Sequence, residues 1–150
     1  YFRIYFRNEK GKEKSDEMVK QHQYLMFCNN CLNFKTSIYN NEICACKNKF
    51  VFAGPLWTGK LQEEKLLEKM VENNLFPEEQ KLLELLLGEA KFLQVGFYDL
   101  HEIARKLKVN PPKMESALKK LKGVRTHFLM TGVKSREKQF LDYTKTNFPI

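Results

Sequence analysis

The chain lacks the apolar runs that membrane insertion requires. No stretch of its 150 residues approaches the roughly 20 consecutive apolar residues of a spanning helix, and its mean hydropathy is −0.51. The opening segment Tyr1–Arg7 alternates apolar and polar side chains, which predicts a β-strand and argues against a signal peptide. No methionine stands at position 1. We therefore expect a cytoplasmic protein without membrane contact, whose chain begins inside a longer polypeptide.

Sequence signatures of catalysis are also missing. The seven glycines never form a phosphate-binding loop after a predicted strand. There is no nucleophile elbow and no HExxH helix of a zinc hydrolase. The regular alternation of strands and helices that builds a dinucleotide-binding sheet is absent as well. These absences predict that the chain holds no catalytic centre of its own.

Charge is abundant but unevenly distributed. The chain has 26 Lys and Arg against 18 Asp and Glu, a formal net charge of +8. Residues 1–60 contain 10 basic and 5 acidic residues, residues 61–98 contain 4 and 8, and residues 99–150 contain 12 and 5. Two basic segments thus flank an acidic one. This pattern favours oriented binding to a polyanion, although a generally basic proteome would produce the same balance.

Hydrophobic patterning divides the chain into two segments. Residues 1–61 contain short alternating runs, and the Gly54–Gly59 stretch predicts a break that closes this β-rich segment. Residues 62–150 have helical periodicity. The predicted fold class is therefore α+β, a small β-rich segment followed by a helical, winged-helix-like segment. The strands expected in the first segment, besides the opening one, are Gln23–Phe27, Asn33–Tyr39 and Lys49–Ala53.

The second segment contains four predicted helices before a late strand. Gln62–Asn73 is amphipathic with an acidic outer face, while Gln80–Leu93 is apolar nearly all round, which predicts the most buried helix of the fold. Asp99 with Glu102 three residues later resembles a capping box. The remaining expected elements are a helix from Asn110 to Gly123, a strand Val124–Met130 and a weakly periodic terminal helix from Ser135.

All four cysteines lie within nineteen residues, as the close pairs Cys28-x2-Cys31 and Cys44-x-Cys46. Each tight turn can supply two adjacent thiolates, and four soft ligands complete the tetrahedron that Zn²⁺ prefers. With four protein ligands no coordination position stays open, so such a zinc would be structural. Two disulfides or four ordinary thiols are the alternatives. Disulfides require an oxidising compartment, of which the sequence gives no sign.

The stretch from Leu100 to Leu121 has the pattern of two helices joined by a short turn. Its apolar positions form one seam, and lysines decorate the outer face of the second helix, at Lys113, Lys119 and Lys120. This is the layout of a winged helix-turn-helix, which often places its second helix against nucleic acid. Such units are also common as plain scaffolds with a solvated lysine face, so the pattern leaves both interpretations open.

A second group of candidate contacts lies on the late strand and just beyond it. Alternation puts Arg125 and His127 on one face of Val124–Met130, and Lys134 and Arg136 follow Gly132. An Arg can fork onto a phosphate, and a His can bond a phosphate or stack on a base. The alternative is a half-buried strand whose arginine reaches out to solvent.

Taken together, the residues resemble the C-terminal domain of the tRNA (guanine-26 N2)-dimethyltransferase family. The resemblance runs the length of the chain and rests on the combination of motifs and their order. These motifs are the opening Tyr1–Arg7, the paired cysteines, Gly54-Pro55-Leu56-Trp57 with Gly59 and Leu61, Gly96-Phe97-Tyr98-Asp99, Pro111-Pro112, Arg125-Thr126-His127-Phe128 and Thr131-Gly132-Val133-Lys134.

The resemblance implies an S-adenosylmethionine-dependent enzyme that methylates one guanosine of tRNA. Its catalytic and cofactor-binding domain would lie N-terminal to this segment, so this chain would bind tRNA and that domain, hold structural zinc, bind no S-adenosylmethionine and be inactive alone. Arg3 and Arg7 are further candidate tRNA contacts, although their strand may complete the catalytic domain's sheet. The rival interpretations are a free-standing zinc-containing winged-helix DNA-binding regulator and a zinc module that only joins subunits.

Overall fold

The computed structural model describes residues 10–92 and 95–136. The predicted opening strand, which contains Arg3 and Arg7, lies outside these ranges. The part of the predicted terminal helix that follows Arg136 lies outside them as well. Within them the chain forms six strands and five α-helices, so the fold is mixed helix and sheet. In chain order they are α1 (Lys12–Lys20), β1 (His22–Phe27), β2 (Phe34–Ser37), β3 (Val51–Trp57), α2 (Glu64–Glu72), α3 (Gln80–Ala90), β4 (Tyr98–Asp99), α4 (Leu100–Leu107), α5 (Met114–Leu121), β5 (Val124–Arg125) and β6 (Gly132–Lys134).

The first sheet is antiparallel, with strand order β2-β1-β3. Successive side chains of the central strand β1 point to opposite faces of the sheet and pack into two separate cores. Met26 is fully buried in a small cluster with Cys28, Cys44 and Phe50. Leu25 and Phe27, which point to the opposite face, pack against the larger core of the helical half. One strand therefore connects the cysteine-bearing region to the rest of the molecule.

The predicted break at Gly54–Gly59 begins later than expected, because β3 continues to Trp57. Pairing with β1 shifts register between Gln23 and Leu25, which is the signature of a β-bulge. Gly54 lies there with φ 119°, a conformation that glycine adopts without strain. Pro55 is tolerated because β3 is an edge strand, whose outer N–H groups need no partner in the sheet.

The two middle helices pack together beneath a connection that contains a single 3-10 turn, Pro77–Glu79. Of the residues in α2, Leu67 is buried, whereas Leu66 and Met70 are exposed. The expectation that the next helix is the most buried one is wrong. α3 ends at Ala90, most of its leucines are only half-buried, and its one fully buried residue is Glu89.

The last described unit runs β4, α4, α5, β5 and β6, and its sheet is antiparallel with order β4-β6-β5. Asp99 caps α4 by accepting a hydrogen bond from the backbone N–H of His101. The rest of the expected capping box does not form, because Glu102 pairs with Arg105 instead. α5 begins at Met114, after the two prolines, and not at Asn110.

The predicted strand Val124–Met130 is also wrong in its extent. β5 ends at Arg125, and residues Thr126–Thr131 form the loop that connects β5 to β6. We call this segment the β5–β6 loop. Arg125 and His127 are therefore not neighbours on one face of a strand.

A single large core unites the two predicted segments. Phe34 of β2 packs on Tyr98 of β4 with ring centroids 4.6 Å apart, and the Tyr98 hydroxyl donates to Asn33 Oδ1 at 3.4 Å. The other buried members come from the helix pair and β6: Leu100, Ile103, Ala117, Leu121 and Val133. Among the residues described, no helix is long and apolar enough to cross a membrane.

Candidate metal centre and basic surface

The four cysteines converge at the end of the first sheet. Their sulfur atoms all lie within 4.8 Å of one another, with Cys28 Sγ 3.4 Å from Cys46 Sγ and Cys31 Sγ 3.5 Å from Cys44 Sγ. All four are free thiols. The structure thus brings together the whole set that the sequence predicted, and each close contact joins one member of the first pair to one of the second.

Each cysteine pair sits in a tight hydrogen-bonded turn. The backbone N–H of Leu32 donates to the carbonyl of Cys28, and that of Lys47 donates to the carbonyl of Cys44. Leu32 and Lys47, each directly after the second cysteine of its pair, have positive φ of 59° and 66°. The hydrogen bond closes over four residues in the first turn and over three in the second. The one-residue spacer of the second pair therefore makes a turn that is shorter by one residue.

The local electrostatics differ between the thiols of the second pair. Hydrogen bonds from the Asn48 backbone N–H and the Asn30 side chain lower the pKa of Cys46 to about 5, which favours its thiolate. Burial raises the pKa of Cys44. A cation held between the sulfurs would offset that penalty by compensating the buried negative charge.

The donor set fits a tetrahedral metal ion. Zinc–sulfur bonds of about 2.3 Å imply sulfur–sulfur distances of about 3.8 Å at tetrahedral angles. The observed closest separations, 3.4 and 3.5 Å, and the outer limit of 4.8 Å bracket that value. Soft thiolate donors in a closed set of four favour Zn²⁺ over hard cations such as Ca²⁺ or Mg²⁺.

The structure describes seven of the nine residues that the sequence nominated for tRNA contact. Six of these are exposed residues, distributed over the residue directly before α5, α5 itself, β5, the β5–β6 loop and the segment after β6. They are Lys113, Lys119, Lys120, Arg125, His127 and Arg136. Their contacts with RNA stay a prediction.

Lys134 is placed differently from the prediction. Its side chain is 7% exposed, and its Nζ lies 3.2 Å from Oε2 of Glu89, which is completely buried. A phosphate would have to displace that carboxylate to reach the ammonium. The structure therefore makes Lys134 an internal counter-ion and not a surface cation.

Glu89 is the residue that sequence reasoning missed. Its Oε1 accepts from the backbone N–H of His127 and lies 2.9 Å from His127 Nδ1. Burial raises the pKa of Glu89, but the hydrogen bonds from His127 and the charge of Lys134 together hold the pKa below its ordinary value of 4.5. The available signal was an acidic residue embedded in the apolar run Leu85–Ala90.

The fold and the site define a small helix-and-sheet module with a four-cysteine centre and basic surface residues. Residues 1–140 match the family described as N2,N2-dimethylguanosine tRNA methyltransferase. The chain therefore belongs to this family, and the resemblance predicted from the sequence is confirmed.

Individual relatives match over nearly the whole chain. The tRNA (guanine(26)-N(2)/guanine(27)-N(2))-dimethyltransferase of Aquifex aeolicus is 36% identical over 145 residues, covering 90% of this chain and 37% of that protein. The tRNA (guanine(26)-N(2))-dimethyltransferase of Methanobrevibacter smithii is 36% identical over 151 residues, covering 90% and 39%. Trm1 from Pyrococcus horikoshii, solved with S-adenosyl-L-methionine, has a TM-score of 0.66 at 29% identity and covers 89% of this chain and 38% of that chain. The chain thus spans less than two-fifths of the length of these relatives.

Proposed function

We propose that this chain is the tRNA-holding C-terminal domain of an S-adenosylmethionine-dependent tRNA guanine-26 N2-methyltransferase or dimethyltransferase. The observation that carries the proposal is the family match over residues 1–140 by a chain much shorter than the relatives. In this proposal a separate methyltransferase domain of the same protein binds S-adenosylmethionine and performs the transfer. The present domain orients the tRNA body so that the target guanine reaches that domain.

The distribution of charge supports a nucleic-acid role. Residues 99–150 contain 12 basic and 5 acidic residues, and α5 together with the segments around β5 and β6 carries exposed cations. Capture of phosphates by Lys and Arg releases counterions from the RNA, which provides affinity without reading sequence. In our proposal this unit acts as a winged helix-turn-helix, with Lys119 and Lys120 of α5, and Lys113 directly before it, facing the RNA. The order β4, α4, α5, β5, β6, with β6 between the other two strands, supports this proposal.

The four cysteines would hold one structural zinc. Four thiolates leave no open coordination position for substrate or water, so the ion would stabilise the fold and perform no chemistry. Its position at the end of β1 supports this role, because β1 contributes residues to both cores.

Binding to tRNA and to duplex DNA of equal length tests the proposal, with Kd measured by fluorescence anisotropy at several salt concentrations. We expect the chain to prefer tRNA, to lose affinity steeply with salt, and to release no heat on titration with S-adenosylmethionine. A preference for duplex DNA would favour the DNA-binding regulator. Methyl transfer to tRNA by residues 1–150 alone would contradict the division of labour between the two domains.

A further inference from the structure

The β5–β6 loop holds large apolar side chains in solvent. Phe128 is 68% exposed and Met130 is 84% exposed. Scattered exposed apolar residues are normal, but neighbouring ones displayed by the same short loop mark an interaction surface. The loop lies in the most basic third of the chain, directly after the exposed Arg125.

Hydrogen bonds hold the loop in this conformation. The N–H of Thr126 donates to the carbonyl of Gly132 at 3.2 Å. The N–H of Gly132 donates to the carbonyl of Leu129 at 2.9 Å. The Thr126 hydroxyl accepts from the N–H of Phe128 at 3.3 Å, and the Thr131 carbonyl accepts from Leu100. The exposure of Phe128 is therefore a product of defined loop geometry.

Two neighbouring rings orient Phe128. Phe97 lies nearly parallel to it, at 12° with ring centroids 6.2 Å apart, and His127 lies at 36° with centroids 3.9 Å apart. Glu89 fixes His127 in turn, through both the backbone N–H and the ring nitrogen. Phe128 nevertheless keeps most of its surface open, so an incoming planar group can stack on it.

The charge around the loop favours a polyanion as the source of that planar group. The loop itself contains no acidic residue, and the carboxylate beneath it, Glu89, is compensated by Lys134. Arg125, the last residue of β5, and Arg136, two residues beyond β6, are exposed. Proteins bind unpaired nucleotides by combining an aromatic ring, on which the base stacks, with cations that attract the phosphate. Phe128 and the cations near it in sequence supply both kinds of group.

We propose that Phe128, oriented by Phe97 and His127, is a stacking platform for one unpaired base of the bound RNA. This inference rests on the proposed tRNA-holding function and adds a site to it. Stacking uses the π-face that every base has, so the site would select unpaired over paired nucleotides with little preference among the four bases.

The test uses the 150-residue chain and two short RNA hairpins that differ only in where one 2-aminopurine lies, in the loop or in the paired stem. Phe128→Ala should weaken binding of both hairpins by about 10-fold, as expected for loss of one base–aromatic stack. Phe128→Trp should restore it. The matched control is Phe76→Ala, which removes an equally large side chain that is 61% exposed in the α2–α3 connection; this variant should bind as the parent does.

Fluorescence and salt dependence identify the contact. In the parent complex the loop 2-aminopurine should be quenched by stacking, and Phe128→Ala should abolish that quenching. The slope of log K against log salt should stay unchanged in the variant, because no charge is lost. Circular dichroism confirms that each variant is folded.

The possible outcomes distinguish the Phe128 stacking site from the proposed tRNA-holding function. If the parent binds RNA and Phe128→Ala binds equally well, the stacking site is refuted while the tRNA-holding function stands. If, in addition, sedimentation shows a parent dimer that Phe128→Ala loses, the loop is a contact between copies of the chain. If the parent binds no RNA even at low salt, both ideas are refuted.

Discussion

Lys134 and Glu89 form a buried ion pair, with the ammonium nitrogen 3.2 Å from the carboxylate oxygen and both side chains almost removed from solvent. The pair joins β6 to the last turn of α3. Removing one partner leaves an uncompensated charge inside the protein, which costs far more than the loss of the attraction itself.

We therefore predict that Lys134→Met lowers the free energy of unfolding by about 3–5 kcal/mol, the usual cost of breaking a buried pair on one side. The double variant Lys134→Met with Glu89→Gln should recover part of this loss, because no lone charge remains. Urea denaturation of the parent, both single variants and the double variant measures the coupling. Equal stability of Lys134→Met and the parent would show that Lys134 reaches solvent.

The carboxylate of Glu89 also predicts how stability depends on pH. The folded protein holds the pKa of Glu89 below its ordinary value of 4.5. Its ionised form therefore contributes stability above pH 4.5, and this contribution is lost as pH falls through the lower folded pKa. The stability difference between the parent and Glu89→Gln should shrink over that acidic range. A difference that stays constant down to pH 2 would contradict the assignment.

Two glycines provide a matched pair of packing predictions. A Cβ on Gly132 would lie 2.4 Å from Thr126 Cγ2 and 2.9 Å from the ring of Phe97, whereas a Cβ on Gly88 meets only Val124, at 3.7 Å. Gly132→Ala should destabilise the fold by about 1–3 kcal/mol through overpacking. Gly88→Ala, inside α3, should stabilise it by about 0.5–1 kcal/mol. Thermal unfolding of both variants measures these changes in stability. If Gly132→Ala were as stable as the parent, the β5–β6 loop would have moved to make room for the added methyl group.

Elemental analysis tests the metal centre. Purified under reducing conditions, the chain should contain about one zinc per molecule. Cys44→Ser should lose it and unfold at lower temperature. Ala45→Ser, at the exposed position between the second pair, changes a similar volume without touching a ligand and should keep the ion. A fully folded protein free of metal would count against the zinc assignment.

The basic surface makes a prediction about salt. Arg125→Ala combined with Arg136→Ala should weaken tRNA binding and reduce the slope of log K against log salt by about 2, one for each phosphate contact removed. The control pair Lys65→Ala with Lys69→Ala removes two exposed cations from α2, in the acidic segment. The control should leave the slope unchanged. An equal effect of both pairs would indicate that only net charge matters.

Local patterns predicted most elements and the whole cysteine cluster. The short apolar run in Gln23–Phe27 predicted β1, periodicity predicted the α4–α5 seam, and two close cysteine pairs predicted convergence, because each signal involves residues near in sequence. The continuation of β3 through Pro55 depends on pairing with β1, which no local signal reveals. The Glu89 network was equally hidden, since its partner His127 lies 38 residues away.

The contact between Phe34 and Tyr98 has a consequence for how the cell would handle this protein. Because Phe34 follows the first cysteine pair by three residues and is buried in the main core, loosening of the cysteine turns would be transmitted to the helices. We expect the chain to unfold in one cooperative step. A cell short of the metal ion would then not accumulate molecules with one unfolded half. Copies without the ion would unfold as a whole more readily than loaded ones, and the unfolded chains would be removed by proteolytic quality control.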